Sequence, residues 1–290
     1  MFTGFRETTI DTGEARILVR HHPGREADAE PVVLLHGHPR TSATWHRVAP
    51  ALVERGFAVV CPDLRGYGRS RGPGPASDHR AASKRAMAGD VVAVARRLGY
   101  EQFCLAGHDR GSYVAFRLGL DHPERVRRLA LLDCIPISDH LRRVDAAFAT
   151  SWWHWFFYAQ PEKPERAILA DPDAWYAGDP EVMGEENHAE FRAATRDPEV
   201  VRAMLEDYRA GLTIDRDEEE ADRAAGTRLR MPVLSVCSSQ DLAELGGDPV
   251  ALMRGWADDV RGTVIDSSHH MAEEAPEELA RVLGDFFAEA

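Results

Sequence analysis

Short apolar runs recur along this chain at intervals that suit a repeating strand–helix unit. Pro31-Val-Val-Leu-Leu35, Phe57-Ala-Val-Val-Cys61 and the run through Phe103-Cys-Leu-Ala106 read as buried strands. So do Arg127–Leu132, Val233-Leu-Ser-Val-Cys237 and Gly262-Thr-Val-Ile265. Helical periodicity fills the intervals near 44–55, 80–98, 110–121 and 248–256, and closes the chain at 276–288. Residues 5–20 read as two further strands joined by a turn at Asp11-Thr12-Gly13, followed by a polar stretch from His21 to Glu30. Strands that alternate with helices predict βαβ units and a parallel sheet.

After Asp133 the rhythm stops. No convincing strand appears from about 138 to 225, where the segment carries Trp152, Trp153, Trp155 and Trp175. This predicts a helical cap over 138–225, inserted into a core domain made of 1–137 and 226–290. The acidic run Asp215-Arg-Asp-Glu-Glu-Glu-Ala-Asp222 reads as a solvated face or linker of that insertion.

Composition narrows the partners. Among 290 residues, 48 acidic against 35 basic ones give a net charge of −13, which disfavours nucleic acid and anionic membranes. A small-molecule substrate and water remain. Cys61, Cys104, Cys134 and Cys237 follow no zinc spacing and read as buried thiols of a reducing compartment. No basic start with an apolar run follows Met1, and no apolar run approaches a membrane span, so a cytoplasmic location is expected. Nothing calls for a metal or another cofactor.

Four segments lie at predicted strand ends, where open α/β sheets hold their sites. Gly107-His108-Asp109-Arg110-Gly111 has the strand-to-helix context of a nucleophile elbow, with aspartate as the raised side chain. A carboxylate attacking saturated carbon forms an ester that water can cleave, whereas a serine would form a stable ether. This points to carbon–halogen or epoxide cleavage. Leu35-His36-Gly37-His38-Pro39 would supply the His38 N–H to an oxyanion hole, with the Arg110 N–H as its partner. Asp133 and Asp241 follow consecutive strands and compete as the acid. His269, in Asp266-Ser-Ser-His269-His270, comes late enough to be the general base, preferred over His270. The order nucleophile, acid, histidine matches the α/β-hydrolase triad. The fold expected is therefore an α/β-hydrolase fold: a mostly parallel eight-stranded sheet, helices on both faces and an inserted helical cap.

Several motifs carry a more specific likeness: His36-Gly-His-Pro39, the Gly107–Gly111 elbow, Leu132-Asp-Cys-Ile-Pro136, His154-Trp155 with Tyr158-Ala-Gln-Pro161, Glu206-Asp-Tyr-Arg-Ala-Gly211, and His269 with Glu273-Glu-Ala-Pro276. Together they resemble the fluoroacetate (haloacetate) dehalogenases over nearly the whole chain. Related epoxide hydrolases and haloalkane dehalogenases typically carry Trp, not Arg, after the nucleophile.

The resemblance implies that Asp109 displaces the halide and that His269 with Asp133 drives ester hydrolysis. It also implies that His154, Trp155 and Tyr208 hold the leaving halide. The family binds a substrate carboxylate with two arginines. Arg110 matches the first, but Tyr113 stands at the second position, so one hydroxyl replaces a charged fork. Arg40 reads as a surface arginine rather than a replacement. The resemblance admits a homodimer.

The leading expectation is a cofactor-free hydrolytic dehalogenase acting on a small haloacid through a covalent Asp109 ester. An epoxide hydrolase using the same Asp–His machinery is the alternative. A non-catalytic binding protein is opposed by the retention of nucleophile, base and two acids.

Overall fold

The computed structural model describes residues 1–245 and 247–289. Eight strands form one sheet in the order β1-β2-β4-β3-β5-β6-β7-β8. They are β1 (Arg6–Asp11), β2 (Arg16–His22), β3 (Pro31–Leu35), β4 (Ala58–Pro62), β5 (Phe103–His108), β6 (Val126–Leu132), β7 (Val233–Ser238) and β8 (Val260–Ile265). β2 pairs antiparallel with both β1 and β4, and every other pairing is parallel.

Period-two alternation sends successive side chains into two cores. Val33, Leu35, Leu105, Leu129 and Leu131 face one apolar cluster, where α2 (Lys84–Arg97) and α3 (Arg110–Asp121) pack. Val32, Leu34, Cys104, Ala106, Ala130 and Leu132 face the other, covered by α1 (Val48–Glu54) and the closing helix. Helices therefore lie on both faces, as the near-continuous apolar strand runs predict.

The connection from β6 to β7 is helical among the described residues. It comprises α4 (Ile137–Leu141), α5 (Ala146–Ser151), α6 (Trp153–Tyr158), α7 (Lys163–Ala170), α8 (Pro172–Trp175), α9 (Pro180–Met183), α10 (Glu185–Arg196), α11 (Pro198–Ala210) and α12 (Arg216–Ala225). A π-helical turn, Gly211–Asp215, joins α11 to α12. The core then continues through α13 (Ser239–Leu245), α14 (Pro249–Met253), α15 (Met271–Glu274) and α16 (Pro276–Phe287). No described helix is long and apolar enough to cross a membrane.

The acidic run departs from its expected solvated role. Asp215 is buried and accepts from the Lys84 backbone N–H at 2.8 Å. Glu219 is buried too, and accepts from the Ile137 and Ser138 N–H groups at 3.3 and 2.7 Å. Its carboxylate thus caps the first helix of the insertion from the last one. Charge patterning alone conceals this, because the helical period turns two of the acids inward.

Candidate active site

The elbow forms where β5 meets α3. Asp109 has φ 49° and ψ −120°, a strained conformation for a side-chain-bearing residue. The turn is tight enough that a Cβ on Gly107 would collide with the Gly111 carbonyl. Ser112 braces it, its backbone N–H donating to Asp109 O at 2.8 Å and its hydroxyl donating to Leu132 O at 3.0 Å.

The β3 loop closes against the same carboxylate. The His38 backbone N–H donates to Asp109 Oδ2 at 2.7 Å. A Cβ on Gly37 would sit 2.5 Å from the Asp109 Cβ and Oδ2, so the loop reaches the nucleophile because that position has no side chain. The Arg110 N–H, first of α3, has no intrahelical partner and points from the same helix end.

Both candidate acids and the candidate base converge. His269 Nδ1 lies 2.6 Å from Asp241 Oδ2 and 3.7 Å from Asp133 Oδ2. The hydrogen bond therefore goes to Asp241, the alternative acid, and not to Asp133, the one the family resemblance favours. Asp133 instead accepts the Ser238 N–H at 2.6 Å through Oδ1. Its Oδ2 is buried without a partner. Burial first, and the Asp241 charge second, push the Asp133 carboxyl up to about 7.

Burial opposes the charged form of His269. The Asp241 hydrogen bond and the charges of Asp241, Asp109 and Asp133 outweigh it, raising the imidazole to about 9. His270 is driven the other way by burial and by the Arg40 charge.

The substrate-side residues behave less uniformly. Arg110 is fully buried and forks onto Asp207, Nε to Oδ2 at 3.1 Å and Nη2 to Oδ1 at 2.9 Å. Nη2 also donates to the Asp207 carbonyl at 2.8 Å. Nη1 makes no hydrogen bond among the described residues. The guanidinium stacks over the Tyr208 ring, 4.3 Å from its centroid. Lys84 and the Tyr67 hydroxyl, at 2.6 Å, complete the shell of Asp207. The surrounding cations and their hydrogen bonds outweigh burial and hold the Asp207 carboxyl far below its ordinary value.

Tyr113 is buried with its ring 5.9 Å from Trp155, edge to face. Burial, and next the neighbouring Cys134 thiol, push its hydroxyl well up. Arg40 is neither at the surface nor in the site. It is buried and pairs with Glu273 through Nε and Nη2 at 3.1–3.2 Å.

His154, Trp155 and Tyr208 come together from α6 and α11. The His154 and Tyr208 rings are 6.1 Å apart, and the Trp155 and Tyr208 rings 6.5 Å. None of their polar atoms makes a hydrogen bond among the described residues. Burial lowers His154 to about 4, against the pull of the Asp109 charge.

The residues that the sequence did not assign to the site are Asp207, Lys84, Tyr67 and Cys134, the last of which was read only as a buried thiol. Asp207 sits beside Tyr208 in a motif already noted, so its proximity could have been inferred; Lys84 and Tyr67 carry no comparable signal. Only one trio of metal-capable side chains is found among the described residues, His108, Asp133 and His269, with ligand atoms within 4.8 Å. His269 Nδ1 of this trio lies 2.6 Å from Asp241 Oδ2.

The comparisons fit this architecture. Residues 30–274 match the model of the alpha/beta hydrolase fold. Fluoroacetate dehalogenase from Burkholderia sp is 36% identical over 100% of this chain and 96% of its own. Soluble epoxide hydrolase from Corynebacterium sp. (strain C12) is 32% identical over 93% of this chain and 94% of its own. The crystal structure of ALR0039 from Nostoc sp PCC 7120 superposes with a TM-score of 0.94 at 41% identity, covering 100% of both chains. An aspartate elbow, a late histidine with two acids and full-length likeness to such enzymes make this chain a hydrolase that belongs to the fluoroacetate (haloacetate) dehalogenase family of α/β-hydrolases.

Proposed function

We propose that this protein is a hydrolytic dehalogenase that removes halide from a small haloacid through a covalent Asp109 ester. The observation that carries the reading is the set of unspent donors on His154, Trp155 and Tyr208, gathered above a carboxylate elbow.

The Asp109 oxygen held by the His38 N–H is restrained, so Oδ1 is the attacking atom. It displaces X⁻ from carbon, forming the ester as the C–X bond breaks. The halide's growing charge meets the His154, Trp155 and Tyr208 donors in a water-poor space, where such contacts act strongly. Ester formation removes the Asp109 charge, one of the influences that raise His269. The imidazole thereby loses its proton more readily at the stage when a base is needed. His269 Nε2 then takes a proton from water, and the hydroxide attacks the Asp109 carbonyl carbon. The oxygen that becomes the oxyanion is the one already facing the His38 N–H, with the Arg110 N–H as second donor. Collapse frees the alcohol product and the Asp109 carboxylate, and His269 returns its proton to solvent.

On this reading Asp241 fixes the imidazole and Asp133 stands behind it. The helical insertion acts as the cap. Arg110 offers Nη1 to a substrate carboxylate, while its charge is balanced by Asp207.

A second reading, epoxide opening, is favoured by one observation. Tyr158 and Tyr208 hold their rings 5.1 Å apart, with Tyr208 within reach of the Asp109 charge, and two hydroxyls could protonate a leaving oxygen.

A single turnover in ¹⁸O-water tests the covalent step, with label expected in Asp109. Its absence in an active enzyme overturns the ester mechanism. A panel of chloroacetate, fluoroacetate, bulkier 2-haloacids and epoxides, read by halide and diol release, separates the two chemistries.

A further inference from the structure

The side chain of His38 has no role in the reading above, which uses only its backbone N–H. That imidazole is 8% exposed, and both ring nitrogens lack a partner among the described residues. It lies among the rings of Tyr208, Tyr176 and Tyr158, with centroids 5.1, 5.2 and 5.4 Å away, and Tyr67 closes the fourth side at 6.5 Å. Burial lowers it to about 3, more than the nearby Asp109 charge raises it, so the ring is neutral at physiological pH.

A neutral imidazole carries one N–H donor and one bare nitrogen acceptor. Packing it inside an aromatic box with neither satisfied is costly unless something polar arrives. A purely apolar wall would be served better by a phenyl ring of the same size. Three of the four neighbouring tyrosines belong to the helical insertion or the stretch inside it, so the ring sits between the two layers that would enclose a substrate.

Its backbone is pinned to the nucleophile's carboxylate at 2.7 Å, and its ring feels the charges of Asp109, His154 and Arg110, so it stands close to the groups that would surround a substrate. Arg110 keeps only Nη1 free, and Tyr113 is turned toward Cys134. A substrate oxygen function is therefore short of one partner, and an uncharged donor–acceptor ring stands unused beside it.

We propose that the His38 imidazole binds an oxygen-bearing substituent on the carbon that Asp109 attacks, making it a specificity-determining residue that selects halides carrying a carboxylate or hydroxyl over plain haloalkanes. This rests on the dehalogenase reading. His38 receives the substituent from the β3 side and Arg110 from the α3 side. Selection arises because an apolar group in the same place leaves both the ring and the guanidinium unmet.

The test pairs chloroacetate with its apolar counterpart of similar shape, 1-chloro-2-methylpropane, in wild type, His38→Phe and His38→Gln. His38→Phe keeps the ring volume and the backbone N–H. The expected result is a fall in kcat/KM for chloroacetate of about ten- to a hundredfold, a much smaller fall for the chloroalkane, and partial recovery in His38→Gln. Equal losses on both substrates, or no loss on either, overturn the proposal. A second readout is independent of turnover: the ¹⁵N resonances of the His38 ring are expected to move when glycolate is added to the wild-type protein. Unmoved resonances overturn the proposal. Moved resonances with no halide release from any substrate overturn the dehalogenase reading and, with it, the selection among halides.

Discussion

β6 and β7 are each followed by an aspartate that reaches the same histidine, Asp133 directly after β6 and Asp241 in the first turn of α13, yet the two live differently. Asp133 adopts φ 51°, is sealed from solvent, and turns one oxygen to the Ser238 N–H while the other, 3.7 Å from His269 Nδ1, makes no hydrogen bond. Asp241 opens α13, keeps some contact with solvent, and takes the His269 hydrogen bond at 2.6 Å. The lesson is that a strand end makes a residue a candidate, while the direction of one imidazole N–H decides between candidates. Burial and the Asp241 charge push the Asp133 carboxyl up to about 7, while His269 turns its Nδ1 to Asp241.

The comparison breaks most readily at the residue both acids serve. Asp109→Ala is expected to lower turnover about 10⁴-fold or more, as removal of a nucleophile does. If activity survives, neither acid is part of an ester mechanism. Next come the acids themselves. Asp241→Asn is expected to slow ester hydrolysis about 10³-fold while the first-turnover halide burst persists. Asp133→Asn is expected to cost less than about tenfold, since it removes no hydrogen bond to His269. Rapid-quench halide measurements decide it, and the reverse order would assign the acid to β6.

The pH dependence sharpens the same contrast. His269 is raised to about 9 with the Asp109 charge in place and less once the ester has formed, so ester hydrolysis should climb with pH and level off below that value. Asp241→Asn removes the strongest raising influence and should move the kinetic pKa down by about one unit or more; Asp133→Asn should move it less. Stability follows a related rule. The Asp133 carboxyl is raised from 3.8 to about 7, so the folded state holds that proton more tightly. Its contribution is full below the unfolded value and is lost as pH rises through about 7. Asp133→Asn should therefore gain on the wild type in Tm as pH goes from 4 to 8. The smallest effect is at Tyr113. Tyr113→Arg restores a second cation and should raise chloroacetate kcat/KM about tenfold. It also buries that cation beside Arg110, which should lower Tm by a few degrees, read by calorimetry.

Much of the core was legible because its signals are local. β3 and α3 fall on the residues that periodicity marks, and the glycines at 107 and 111 announce a turn without room for side chains. The helices between β6 and β7 were legible as helices, but their inward contacts were not. Glu219 and Asp215 lie in a run that looks solvated, and Arg40 looks like a surface residue. Each is paired with a residue far away in sequence, Ser138, Lys84 or Glu273, so no window of the chain displays the partnership.

The sequence by itself determined the chemistry on offer: a carboxylate at an elbow, a late histidine, two acids at neighbouring strand ends and a tyrosine where an arginine was expected. These follow from side-chain identity and from the short-range rules that place strand ends and turns. Only the tertiary structure decided which acid the histidine engages, that Arg110 is spent on Asp207, and that the His38 ring is left unpaired among tyrosines. Those outcomes depend on distances of a few ångströms between segments remote in the chain, and on the burial that makes an unmet polar atom costly there.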